Sequence, residues 1–304
     1  TGTYEWMLDE VFSRRYKVGF YGSSDGHKGR PGASYPGAKQ NEFHGGLTCV
    51  LAKNLSRRDI FYAMKERHTY ATTGNRPIVS TRLQINGEFV AIMGDAVRVK
   101  PDHPPIYCVQ VIGTAPVEKI ELMNGTEPIL VERAYAEEDL GNRIKIVWSG
   151  AERRGSGRIV NWSGGLKVED NKILGVTPIN FLNQYLPPEQ VDDTTVIWES
   201  YTSGGLAGVV VELEDVHKGR IRIETEQGNM EFSLSRVKYE PCEFAFDGLN
   251  KKVSIYQLPD QLTETNIEFA VELIELHERD NPIYIKMTQE DGHMAWSSPI
   301  YIDV

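Results

Sequence analysis

Cysteine is scarce: Cys49, Cys108 and Cys242 are the only three in 304 residues. No pair has C-x-x-C spacing, which argues against a cysteine zinc site. An odd count rules out a complete disulfide framework but leaves one pair open. Each thiol sits in an apolar, strand-like run and reads as a small core residue. Long hydrophobic runs are also missing. No stretch approaches the roughly 20 apolar residues that span a bilayer, so no membrane contact is expected. No signal peptide is visible, but the chain starts at Thr1 rather than methionine, so that absence carries little weight. The compartment stays open, with the cytoplasm favoured. Excess positive charge is absent as well: the formal net charge is −10. An acidic surface argues against wrapping duplex DNA, and no nucleic-acid partner is expected. A small anionic substrate remains compatible, because the field in a cleft differs from the net charge.

Apolar residues make up 40% of the chain, enough to bury a core in one large or two ordinary domains. EWMLDEVFSRR reads as a helix with Met7, Leu8, Val11 and Phe12 on one face. Lys17 to Tyr21 reads as a short strand, followed by a loop dense in Gly, Ser and Pro. LTCVL (47–51) reads as a second strand. Ser56, with Asp59 three residues later, opens a second helix with an apolar face of Ile60, Phe61 and Met64. Helix, strand, loop, strand and helix over residues 1–75 follow the grammar of an α/β fold with parallel strands. After Pro77 the grammar changes. RLQING, EFVAI, IYCVQVIG, KIELMNG and many later runs are short, β-branched and broken by Asn-Gly or Gly. IEFAVELIEL fits helix or strand and is read as strand from its surroundings. Such a succession indicates one large or two smaller β-sandwiches. The basic stretch GAERRGSGR (150–158) reads as an exposed hairpin loop, with an anion-binding patch as its second reading.

The residues that point to chemistry are Asp25 and His27 in GSSDGH. They follow the C-terminal end of a predicted strand, the edge where α/β folds gather ligands. Asp-x-His places a carboxylate oxygen and an imidazole nitrogen close together, the mixed ligand set of Zn, Mn and Fe hydrolases. The competing reading is a turn in which Asp25 bonds nearby backbone N–H groups. From the residues alone the two readings stand level. Lys28 and Arg30 either bind a substrate phosphate or are exposed loop charges. His44 faces the same cleft or solvent. Arg76 reads as an anchor at the junction, His68 as a helix-end residue and His293 as solvent-facing in EDGH. Trp148, Trp162, Trp198 and Trp296 read as core aromatics, with a ligand groove as a second role for Trp162.

Three segments, FYGSSDGHKGRPG, GGLTCVLAKNLSRRDIFYAMKERHTYATTGNRPIV and YIKMTQEDGHMAWSSPIYI, resemble the uncharacterised branch of the PHP (polymerase and histidinol phosphatase) superfamily. The resemblance implies a distorted β/α barrel, a di- or trinuclear metal centre and phosphoester hydrolysis. It implies metal-ligand roles for Asp25 and His27. The implied cofactors are divalent transition metals (Zn, Mn or Fe), two or three in the complete protein. The family's early H-x-H motif and its other His and Glu ligands have no counterpart, and no H-x-H occurs in this sequence. Two ligands do not hold a cluster, so the chain alone is expected to be inactive and to need a missing N-terminal barrel segment.

The expected fold is α+β and mainly β: the end of a PHP-type β/α barrel followed by one or two antiparallel β-sandwiches. Residues 1–79 are assigned to the barrel and 80–304 to the sandwich region. Within that region, 80–148 and 265–304 are expected to form an Ig-like sandwich around a β-rich insertion, 150–260. The expected function is the C-terminal portion of a metal-dependent phosphoesterase-type hydrolase acting on a small phosphorylated or other anionic substrate. The alternative is a β-sandwich module that binds a glycan or protein, with a non-catalytic barrel remnant.

Overall fold

The computed structural model describes residues 4–23, 45–100, 103–181, 185–278 and 280–304. The chain divides into two compact units. One comprises Glu5–Ala134 and Thr263–Val304, the other Tyr135–Leu262.

The first unit is built on the strand Asn281–Gln289. One edge of it pairs with Val117–Asn124, which pairs in turn with Glu127–Arg133. Its other edge pairs with Met294–Ser297 and Ile300–Asp303. From Met294–Ser297 the sheet continues to Thr69–Thr72 and Leu47–Val50. From Ile300–Asp303 it continues, through a parallel pairing, to Ala96–Arg98. A second, four-stranded sheet runs in the order Asn266–Glu272, Ile106–Ile112, Ile78–Ile85, Glu88–Ile92. Its alternating pattern buries Val79, Thr81 and Leu83 on one strand and Tyr107, Val109 and Val111 on the next. These side chains, apart from Thr81, share one core with Ile120, Leu122, Ile283, Ile285 and Met287 of the larger sheet. The hairpin between Ile78–Ile85 and Glu88–Ile92 turns at Asn86 and Gly87, whose φ values of 50° and 84° suit the turn that Asn-Gly prefers.

The barrel end expected over residues 1–79 is not what forms. Among the described residues, Leu47–Val50 and Thr69–Thr72 pair antiparallel with each other, and Thr69–Thr72 pairs antiparallel with Met294–Ser297. These strands belong to a β sheet, not to alternating parallel β/α units. The reason lies at the end of the helix Arg57–Lys65. Ser56 caps its start, accepting from the Asp59 N–H at 3.0 Å. The helix stops at Lys65, and Arg67 adopts a left-handed φ of 65°. That turn sends TYAT back beside LTCV. The apolar face expected on this helix is also different: Ala63 is buried, whereas Phe61 and Met64 are exposed. Lys17 to Tyr21 forms no strand.

The second unit holds two five-stranded antiparallel sheets. Ile144, Ile146 and Trp148 from one sheet meet Leu166, Val196, Trp198 and Ile223 from the other in a single core. The Trp148 and Trp198 rings stack at 4.9 Å. The Trp162 indole is fully buried and donates to Thr202 Oγ1 at 2.8 Å, so it lines no open groove. The unit's entry and exit strands, Leu140–Ala151 and Leu249–Pro259, pair with Leu140 opposite Pro259. Among the described residues, no helix is long and apolar enough to cross a membrane.

Replacing Trp148 with alanine removes both its packing and its bond to Ser200 Oγ. It should destabilise the Tyr135–Leu262 unit by about 3–5 kcal/mol, read as an earlier urea transition in tryptophan fluorescence.

Candidate functional site

Asp25, His27, Lys28, Arg30 and His44 lie outside the described residues. The structure does show where the segment that carries them is attached. Residues 18–23 belong to no helix or strand, and buried backbone groups need partners. Here hydroxyl side chains supply them. Tyr301 Oη accepts from Val18 N at 2.6 Å and donates to Val18 O at 2.8 Å. Ser298 Oγ accepts from Phe20 N at 2.9 Å. Thr69 Oγ1 donates to Phe20 O at 3.1 Å and lies 3.1 Å from Ser298 Oγ. Thr48 Oγ1 donates to Gly22 O at 2.8 Å.

The far end of the segment returns to the same place. Gly46 N donates to Ser23 O at 3.1 Å, so the two described flanks, Ser23 and Gly46, meet at one hydrogen bond. Close approach requires glycine here: a Cβ on Gly22 would fall on the Leu47 backbone. Phe20 packs edge-on to Tyr284 at 5.0 Å. Thr69 and Ser298 are fully buried, which makes their mutual hydrogen bond costly to lose. Burial pushes the Tyr301 phenol up to about 12, outweighing the hydrogen bond from Val18 and the Arg67 charge, which both lower it.

The three segments that carry the family resemblance therefore meet. LTCV, TYAT and MAWS are neighbouring strands of one sheet, and the run into GSSDGH is tied to them. Sequence reasoning did not single out Thr48, Thr69, Ser298 and Tyr301. The signal was the presence of hydroxyls within those same quoted segments.

The other residues weighed from the sequence fall elsewhere. His68 Nε2 lies 2.9 Å from Asp95 Oδ1, whose other oxygen accepts from Ile92 N at 2.9 Å. This pairing ties the helix exit to a β turn. Arg76 is exposed. His293 is half-buried rather than solvent-facing, with Nδ1 3.0 Å from Thr73 Oγ1. Asp291 Oδ1 accepts from His293 N at 3.0 Å and from Gln289 Nε2 at 3.2 Å. This second Asp-Gly-His is a structural turn. Trp296 is half-buried outside the core cluster. The three cysteines carry free thiols.

On the same unit, Lys119 and Lys286 lie 3.3 and 3.2 Å from Glu121 Oε2. Burial disfavours the Glu121 charge, but the two lysines outweigh it and hold the carboxyl below its ordinary range. Burial likewise lowers Lys119. Among the described residues, no group of three or more His, Cys, Asp or Glu is placed to hold a metal. A family model described as a protein of unknown function (DUF3604) matches residues 35–83. No curated protein and no solved structure matches the chain.

Tyr301→Phe keeps the ring and removes both bonds to Val18. It should cost about 1–3 kcal/mol and speed hydrogen exchange at the Val18 amide. The phenol is also a pH probe. Its folded value lies above its ordinary 10.0, so its contribution is complete below pH 10 and is lost as pH rises through about 12. Alkaline denaturation of the phenylalanine variant should lack that component.

Proposed function

We propose that this chain contributes Asp25 and His27 as ligands to a divalent transition-metal centre in a phosphoesterase-type hydrolase. In this reading Lys28, Arg30 and His44 face the same cleft and receive the phosphate of a small anionic substrate. The observation that carries it is the closed stem. The described residues on either side of the segment are tied to one sheet by Thr48, Thr69, Ser298, Tyr301 and Gly46. Functional residues concentrate on loops positioned by such rigid scaffolds. The resemblance of GSSDGH, RHTYATTG and AWSSPIYI to the PHP superfamily supplies the reaction class.

Asp and His offer a carboxylate oxygen and an imidazole nitrogen, a donor set suited to Zn, Mn or Fe. When bound, such a metal supplies Lewis acidity toward a phosphoryl oxygen. Two ligands do not hold a catalytic cluster, so the remaining ligands are proposed to come from a part of the protein outside this chain. The ammonium of Lys28 and the guanidinium of Arg30 would make charge-assisted bonds to phosphate oxygens. The hydroxyls act one step back, by fixing the backbone from which the ligand loop departs.

A second reading has its own support. Tyr135–Leu262 is a β unit with a separate core, an architecture that suits a glycan- or protein-binding module. On that reading Asp25 and His27 hold no metal.

Metal content separates the two. The natural full-length protein, purified without chelators, should carry two or three transition metals per chain by elemental mass spectrometry. Asp25→Ala and His27→Ala should lower metal affinity and phosphate-ester hydrolysis by more than the roughly 10–100-fold typical of lost outer-shell partners. A wild-type protein without metal, or variants that keep their full complement, would sink the hydrolase reading.

A further inference from the structure

The helix Arg57–Lys65 of the first unit buries only Ala63. Phe61 is 61% exposed and Met64 is exposed beside it. Arg57 and Arg58 lie four and three positions before Phe61, and Met64 and Lys65 lie three and four after it, so all four are its neighbours on the helix surface. Leu55, just ahead of the Ser56 cap, is 98% exposed. A charged helix face is ordinarily a solvated one. Here, however, the charges do not serve the helix. Arg57 and Arg58 occupy its first turn, where the dipole disfavours cations. Among the described residues, no carboxylate pairs with Arg57, Arg58 or Lys65. Arginine, methionine and aromatic residues are the types enriched at protein interfaces, and a contiguous exposed apolar group marks an interaction surface.

The Tyr135–Leu262 unit carries an exposed face of opposite sign. Glu189 and Ile197 are register partners on neighbouring strands. Val191 lies two residues beyond Glu189, on the same side of the sheet, and its N–H donates to Thr195 O at 2.9 Å. Val191 and Ile197 are both exposed. On the strand beyond, Ile197 faces Gly165, which has no side chain to cover it. Asp192 and Asp193 turn the hairpin, and Asp192 Oδ1 accepts from Thr194 N at 2.7 Å. Among the described residues, no cation pairs with Glu189, Asp192 or Asp193. Lys167, opposite Thr195, stands on the same face, and the three acids leave the rim negative.

We infer that these two faces bind each other between copies of this chain. The helix face of one copy, apolar with a basic rim, receives the Val191–Ile197 face of another, apolar with an acidic rim. Opposite rims steer the encounter and fix its register, while the apolar centres lose water. Charge identifies the occupant. A chain with a formal net charge of −10 repels its own copies, and the unpaired cations around Phe61 reverse that repulsion locally. Because the two faces differ, the contact is heterologous, and it closes into a ring or extends as a chain of copies. It is independent of the proposed metal centre.

The test is sedimentation velocity of the chain over a concentration series at low and high salt. The mean mass should rise with concentration at low salt, and the association should weaken at high salt, which screens exposed charges. One variant, Arg58→Gln with Phe61→Ser, removes the basic face. A second, Asp193→Asn with Val191→Ser, removes the acidic one. All four side chains are exposed, and Arg58→Gln removes a charge that opposes the helix dipole, so both variants should keep the wild-type circular dichroism. Each alone should associate roughly tenfold or more weakly. Mixed in equal amounts, they should form a one-to-one dimer that grows no further, because each retains one intact face. A wild type that stays monomeric, an association that only one of the two variants weakens, or a mixture that stays monomeric would each overturn the proposal. The natural full-length protein should associate in the same way. If only the shorter chain does, another part of the protein covers the helix face and the proposal fails.

Discussion

The first unit depends on one strand. Asn281–Gln289 pairs with Val117–Asn124 along one edge and with Met294–Ser297 and Ile300–Asp303 along the other. Take it away and the two halves of the eight-stranded sheet have no common member. Its inward side chains Ile283, Ile285 and Met287 also anchor the core beneath. This pairing joins residues separated by more than the whole Tyr135–Leu262 unit. Loop-closure entropy grows only logarithmically with length, and the local geometry reduces the problem further. Leu140 and Pro259 are register partners, so the second unit begins and ends at one point. On the other side, Ala134 N bonds Glu118 O at 3.2 Å and Val117 N bonds Glu264 O at 2.8 Å. To the first unit, the second therefore has the closure geometry of a short connection.

The same device recurs on a smaller scale. The described flanks of the segment that carries Asp25 and His27 meet where Gly46 bonds Ser23 and Thr48 bonds Gly22. A backbone run without a strand partner must satisfy its polar groups by other means. Here those partners are hydroxyls drawn from positions 48, 69, 298 and 301. The stem thus depends on the sheet, and the sheet depends on Asn281–Gln289. The chemistry proposed for the loop is the last link in that chain.

Much of the β character was legible locally. Asn86-Gly87 marked a break between the short strands RLQI and EFVAI, and Ser56 with Asp59 marked a helix start. Two features were not. The helix that begins at Arg57 ends through Arg67 in a left-handed conformation. Arginine there gives no sign of a turn, so the strand Thr69–Thr72 and its antiparallel return were not read from the sequence. The run Lys17 to Tyr21 has the composition of a strand, but its partners are single side chains some 280 positions away. Local periodicity cannot register such bonds. The tripeptide Asp-Gly-His shows the same limit. In Asp291-Gly292-His293 it is a turn locked by Gln289 and Thr73. Only the surroundings can distinguish that use from a ligand pair.

Asp25 and His27 are either ligands, as proposed, or a second locked turn. X-ray absorption at the metal edge of the natural full-length protein addresses that most directly. Ligation by both residues gives a mixed nitrogen and oxygen shell whose imidazole scattering falls in His27→Ala. A shell unchanged by that substitution would contradict it.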